Sequence, residues 1–140
     1  MEFEMLKGKF DPKEARMLNP LVLAFAGDAV YEVFVRTFLI EKNREMLVHK
    51  LHTEAVCFVK AHAQCQLMKQ LEGELNEEET VIYKRGRNAK SSTVPKNADV
   101  QEYRIATGFE TVIGFLYLSE QNERLNYLLK RAAEIVEGDF

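Results

Sequence analysis

The stretch at residues 18–40, LNPLVLAFAGDAVYEVFVRTFLI, constrains this chain more than any other. Asn19 followed by Pro20 reads as a helix start: a capping side chain, then a ring that fixes φ where no amide partner is needed. The next twenty or so residues contain no breaker except Gly27 and are apolar on almost every face, the pattern of a helix buried on all sides. Before Glu41 the only charges are Asp28, Glu32 and Arg36, four apart, so they form one polar stripe. A carboxylate buried in such a helix is costly unless it meets a cation, a metal or several donors. A purely structural solution pairs Glu32 with Arg36 along the helix and lets Asp28 accept a bond from a neighbouring helix.

The length of 140 residues fits one domain, spanning residues 1–140, with room for a sizeable core. A hydrophobic content of 46% with 29% charged residues is that of an ordinary globular protein and argues against a disordered chain. Three prolines, seven glycines and several long breaker-free segments predict an all-α fold. No uncharged apolar run reaches transmembrane length, and the N-terminus, MEFEMLKGKF, is too charged for a secretory signal. Cys57 and Cys65 fall eight apart in a predicted helix, separated by about 12 Å of rise and too far for a disulfide. They read as reduced thiols in a cytoplasmic protein without a zinc pattern.

Asp11, Pro12 and Glu14 open a short first helix ending near Met17. After the apolar helix, a single long helix is predicted over residues 43–72, with Leu47, Leu51, Ala55, Phe58, Cys65 and Met68 on its buried stripe. His49, His52 and His62 lie on or beside that stripe and read as packed or surface imidazoles, because no partner spacing supports a metal site. Asn76 with Glu79 opens a fourth helix, Asp99 caps a fifth reaching about Ser119, and Asn122 starts a sixth. Between the fourth and fifth helices, residues 91–97 (SSTVPKN) form a polar loop.

The fifth helix repeats the oddity of the second. Over residues 105–119, IATGFETVIGFLYLS, the only charge is Glu110, with Gly108 and Gly114 inside the helix. Each glycine costs about 1 kcal/mol relative to alanine there, so a close approach of another backbone is the expected reason for it, at Gly27 as well. Two apolar helices, each with one lone carboxylate beside small residues, predict that Asp28 and Glu110 face each other. Facing carboxylates repel unless a cation lies between them or one holds a proton. Mg²⁺ is bound in this manner, by one or two carboxylates with water completing its shell.

The net charge of −3 does not advertise a nucleic-acid binder, but the distribution is uneven. Over residues 84–104, six cations (Lys84, Arg85, Arg87, Lys90, Lys96, Arg104) face two acids (Asp99, Glu102), a local net of +4. Arginine beside glycine, asparagine and serine suits phosphate contact. This segment leads straight into the helix carrying Glu110. Metal-binding carboxylates beside a phosphate-binding loop point to phosphodiester hydrolysis.

The same residues carry a family resemblance. Phe25-Ala26-Gly27-Asp28-Ala29-Val30 resembles the signature helix of ribonuclease III, and Phe109-Glu110-Thr111-Val112-Ile113-Gly114 resembles its second acidic motif. The run from Lys84 through Arg85, Gly86, Arg87, Asn88, Ala89 and Lys90 to Ser91 looks like the bacterial Mini-ribonuclease III branch, as do Pro95-Lys96-Asn97 and Tyr103-Arg104. That branch has a ribonuclease III catalytic domain and no double-stranded-RNA-binding domain, and nothing is left over after Phe140 for a second domain. The resemblance implies a helical endonuclease domain of about six or seven helices, a homodimer, and cleavage of double-stranded RNA with Mg²⁺, for which Mn²⁺ can substitute. It further implies a role in maturing the 23S ribosomal RNA precursor, aided by a ribosomal protein.

By motif position Asp28 and Glu110 carry over as catalytic metal ligands, with Glu32 as a supporting candidate, and Phe25 as the dimer-interface aromatic. Lys84, Arg85, Arg87, Asn88, Lys90, Lys96 and Arg104 are the RNA-binding candidates. Where full-length ribonuclease III has two further acids, this chain has Ala24 and Thr107, so the four-carboxylate cluster is absent. The rival readings are an RNA-binding module without cleavage and a helical interaction protein whose buried acids fix dimer register. Retention of both Asp28 and Glu110 weighs against the first, and the basic segment against the second.

Overall fold

The computed structural model describes residues 3–90, 94, 96 and 99–139, and over these it is all-α. The loop residues Ser91, Pro95 and Asn97 lie outside the described residues. Among the described residues seven α-helices occur in order: α1 (Pro12–Arg16), α2 (Pro20–Lys42), α3 (Val48–Val59), α4 (Ala61–Leu71), α5 (Glu77–Asn88), α6 (Val100–Leu118) and α7 (Asn122–Asp139). Four of the starts are set by side chains within three residues. Asp11 and Glu14 close a capping box on α1, and Asn76 and Glu79 do the same on α5. Asn19 Oδ1 accepts from Leu21 N at 2.8 Å with Pro20 as the first helical residue, and Asp99 Oδ1 accepts from Gln101 N at 2.9 Å.

The expected long helix over residues 43–72 is two helices. The backbone at Lys60 is extended (φ −63°, ψ 152°), ending α3 and opening α4, and residues 43–47 form an irregular lead-in. No proline or glycine marks the break. A local side-chain bond spans it instead, Gln64 Nε2 donating to the carbonyl of Val59 at 2.9 Å. Leu47, expected on the buried stripe, is exposed for the same reason, since it precedes α3 rather than lying within it.

α6 is the helix that the core surrounds, with Ala106, Gly108, Phe109 and every residue from Thr111 to Leu116 buried. α2 is the second element of the core, buried along Leu23, Ala24, Gly27, Tyr31, Val35 and Leu39. Burial of α2 on all sides is therefore not met within the protomer: Val22, Phe25, Val33 and Ile40 are exposed. Hydropathy counts apolar residues and cannot say whether the same chain covers them.

Among the described residues α2 and α6 form the most extensive helix pair. Their contact is as close as backbones allow. A Cβ added to Gly27 would stand 1.8 Å from the Glu110 carbonyl oxygen, and one on Gly114 would stand 1.8 Å from that of Leu23. Tyr31 packs edge-on against Phe109 beside this crossing, ring centroids 4.9 Å apart. α7 is tied on by two arginines: Arg124 donates to both oxygens of the buried Glu79, and Arg131 to those of Glu74.

Candidate active site

The glycine crossing decides where the two lone carboxylates go. Asp28 follows Gly27 on α2, and Glu110 supplies the carbonyl against which Gly27 rests, so the two side chains meet and hydrogen-bond. Their surroundings differ. Asp28 is exposed, against the expectation of a carboxylate buried in its helix, because it lies on the side of α2 that the protomer leaves uncovered. Glu110 is half-buried, and desolvation, joined by the hydrogen bond and charge of Asp28, pushes its pKa up to about 8. At about 8, that pKa leaves Glu110 protonated at neutral pH.

No third acid, histidine or cysteine joins them: among the described residues no group of three or more such side chains could hold a metal ion. Glu32 accepts from Arg36 Nε at 3.1 Å, the pairing along the helix that its spacing predicts, and does not complete the site. Ala24 is a buried methyl, and the Thr107 hydroxyl donates to the carbonyl of Tyr103 on its own helix at 2.9 Å. The carboxylate pair fits one hard divalent cation that keeps most of its water shell, and it does not fit a two-ion cluster.

The basic segment is not uniform. Lys84, Asn88, Lys90, Lys96 and Arg104 are exposed. Arg85 is not free: its guanidinium donates to the carbonyls of Arg16 at 2.7 Å and Leu18 at 3.2 Å, closing the end of α1. Arg87 lies over the ring of Tyr83, 5.5 Å from its centroid, and donates to Asn88 Oδ1. A cavity of about 300 Å³ lined by Gly86, Lys90, Val94, Tyr103, Arg104 and Thr107 joins the basic segment to α6 one turn before Glu110. The basic segment and the carboxylate pair thus share one region of the surface.

Phe25 is 82% exposed and lies, with Val22, Val33 and Ile40, on a stripe running the length of α2. Exposed apolar residues gathered towards one face of a helix make that face a candidate interaction surface. The histidines stand apart from the carboxylate pair: His49 and His52 are exposed and His62 hydrogen-bonds Glu102. Cys57 and Cys65 are free thiols, the first exposed and the second buried.

Sequence reasoning misses one member of the site. Gln64 on α4 is buried, and its amide works to lower the Glu110 pKa against the larger effect of burial. Its signal is faint but present: an amide three and four residues before Leu67 and Met68, on the apolar side of its helix.

Known proteins match this arrangement. The ribonuclease III domain family matches residues 21–121, which include Asp28, Glu110 and the basic segment. The chain is 50% identical over 129 residues to Mini-ribonuclease 3 of Clostridium tetani, covering 92% of this chain and 85% of that one. It is 47% identical to Mini-ribonuclease 3 of Enterococcus faecalis, covering 89% and 98% respectively. A crystal structure of a Fusobacterium nucleatum protein superposes with a TM-score of 0.76 at 30% identity, over 89% of this chain and 97% of that one. With the family matched across both acidic helices and the relatives matched along most of their length, the chain belongs to the ribonuclease III family, among the Mini-ribonucleases 3, and is an RNA endonuclease.

Proposed function

We propose that this protein is a Mg²⁺-dependent endoribonuclease that cuts double-stranded RNA as a homodimer, in the cytoplasm, during maturation of the 23S ribosomal RNA precursor. The observation that carries the reading is the hydrogen-bonded Asp28–Glu110 pair at the glycine crossing, opening beside a basic cavity. Asp28 and Glu110 would hold the divalent ion, which supplies an activated water at neutral pH and stabilises charge on the phosphate. Mn²⁺, with the same preference for oxygen ligands, would substitute.

The exposed Lys84, Lys90, Lys96 and Arg104 grip the backbone of the duplex, with Asn88 as a neutral partner and Arg87 presented from the Tyr83 ring. An A-form major groove is too narrow for side chains, so recognition proceeds through shape, 2′-hydroxyls and phosphates. Few phosphate contacts make affinity modest and strongly salt-dependent, which gives a ribosomal protein that presents the RNA a physical role. Phe25 and the α2 stripe pair with a second copy. Among the described residues no helix is long and apolar enough to cross a membrane.

The test is cleavage of a labelled long RNA duplex with Mg²⁺ by wild type, by Asp28→Asn, and by wild type in EDTA. Cutting by wild type alone is expected. Binding without cutting in all three would replace this reading with a non-catalytic RNA-binding module.

A further inference from the structure

α5 and α6 meet turn for turn beside Glu110. A Cβ added to Gly86 would stand 2.1 Å from Thr111 Oγ1 and 2.6 Å from Thr111 Cβ, and one added to Gly108 would stand 2.6 Å from the Tyr83 ring. The two contacts lie one helical turn apart on each helix, so they stack on one face of both. Thr111 is a stiff partner. It is fully buried and branched at Cβ, and its hydroxyl donates to the carbonyl of Thr107 at 2.7 Å and lies 3.3 Å from that of Pro20 on α2. Glu110 falls between the two contacts, after Gly108 and directly before Thr111.

These contacts join the two halves of the basic region. α5 carries Lys84 and Arg87 and runs on to Lys90, whereas α6 carries Arg104 together with Glu110. Tyr83, seated on Gly108, also bears the guanidinium of Arg87, 5.5 Å from its ring centroid. Gly86 lines the basic cavity beside Lys90 and Arg104. Stable packing alone can be met by many pairs of apolar side chains. What a glycine pressed on a rigid threonine adds is a fixed spacing between the cations of one helix and the carboxylate of the next.

We infer that Gly86 and Thr111 are positioning residues that set which phosphodiester bond is cut, their contact fixing the spacing between the α5 cations and the Asp28–Glu110 pair. The inference rests on the nuclease reading of both groups. No rotation of the Thr111 side chain moves its Cβ. A methyl on Gly86 therefore pushes α5 outward until the 2.6 Å gap reaches the ordinary carbon–carbon separation of about 3.5 Å. A misplacement of about 1 Å between a held substrate and the reacting groups costs about 100-fold in rate.

The test is single-turnover cleavage of an end-labelled RNA duplex with Mg²⁺, read at nucleotide resolution, by wild type, Gly86→Ala and Gly86→Ala/Thr111→Gly. For Gly86→Ala the rate at the wild-type bond should fall about 100-fold, with the residual cuts moved to neighbouring bonds. Its duplex affinity in EDTA and its Mn²⁺ affinity without RNA should match wild type, since every cation and both carboxylates are kept. The double variant, which removes the side chain nearest the new methyl, should regain the wild-type rate and cut. A folded Gly86→Ala that cuts the same bond at the wild-type rate would overturn the inference, leaving the contact as core packing. Loss of either affinity, or a double variant no better than the single one, would overturn it too. If Gly86→Ala does not fold, Thr111→Ala decides: trimming the seat frees α5, so cuts should scatter over neighbouring bonds, and a wild-type pattern would sink the idea. A wild type that cuts no duplex would instead bring down the nuclease reading itself, an outcome that needs no variant to recognise.

Discussion

The Cα of Gly27 lies so close to the backbone of Glu110 that an added Cβ would come 1.8 Å from its carbonyl oxygen and 2.8 Å from the amide nitrogen of Gly114. Neither obstacle is a flexible side-chain end, so the two helices that carry the carboxylates would have to separate. Gly27→Ala is expected to cost about 3 kcal/mol, the upper range for forcing a methyl into a packed core, and to impair cleavage as well. Gly73→Ala is the control, since nothing lies within 4 Å of its Cβ position and its φ is not positive. Urea denaturation of both variants checks this, and equal midpoints would mean the crossing relaxes freely.

The raised pKa of Glu110 makes metal-free stability depend on pH in a defined direction. Its folded value of about 8 exceeds the ordinary 4.5, so between these limits the native state binds the proton that the unfolded chain has released. The stability that Glu110 contributes is fully present below pH 4.5 and is lost as pH rises through about 8. Glu110→Gln should flatten this slope in thermal melts recorded in EDTA. Metal binding must expel the same proton, so Mg²⁺ affinity should rise with pH and level off above about 8. Calorimetry in buffers of different ionisation enthalpy would count the released proton, and a pH-independent affinity would contradict this linkage.

What could be read from the chain, and what could not, divides by the range of the interaction. The caps at Asp11, Asn19, Asn76 and Asp99 are bonds to amides two or three residues away, and each is visible in sequence. The meeting of Asp28 and Glu110 is a long-range contact that was still legible, because glycine in a helix interior is costly enough to need a reason. The break at Lys60 left no such mark: no proline or glycine stands there, and the Val59 carbonyl is satisfied by the side chain of Gln64, which reads in sequence like any helical glutamine. Arg85 looks in sequence like its basic neighbours. Only the fold brings the carbonyls of Arg16 and Leu18 within reach of it.

That difference between the arginine and its neighbours can be measured. Arg85→Ala should cost about 2 kcal/mol, the worth of hydrogen bonds from a charged donor, and leave the salt dependence of RNA binding unchanged. Lys90→Ala and Arg104→Ala, both at the exposed rim of the cavity, should do the reverse. Each should weaken duplex binding and reduce the slope of log K against log salt by about one, with little change in melting temperature. Filter binding over a salt series separates the two classes. An Arg85→Ala variant with a reduced slope would return that residue to the RNA-binding set.

The exposed stripe on α2 gives the remaining prediction. Phe25 stands 82% exposed three residues before Asp28, and Val33 is 66% exposed on the same side. If this stripe pairs with a second copy, a charge placed on it would be buried without a partner, at a cost of about 3–5 kcal/mol. Phe25→Asp should therefore sediment as a monomer at concentrations where wild type is a dimer, and Val33→Asp should do the same. Asp28 and Glu110 belong to one chain, so each monomer should keep its affinity for Mn²⁺ while losing the coordinated cleavage of both RNA strands. Sedimentation velocity on the three proteins is the measurement. A wild type that runs as a monomer, or a Phe25→Asp variant that remains dimeric, would place the subunit contact elsewhere on the surface.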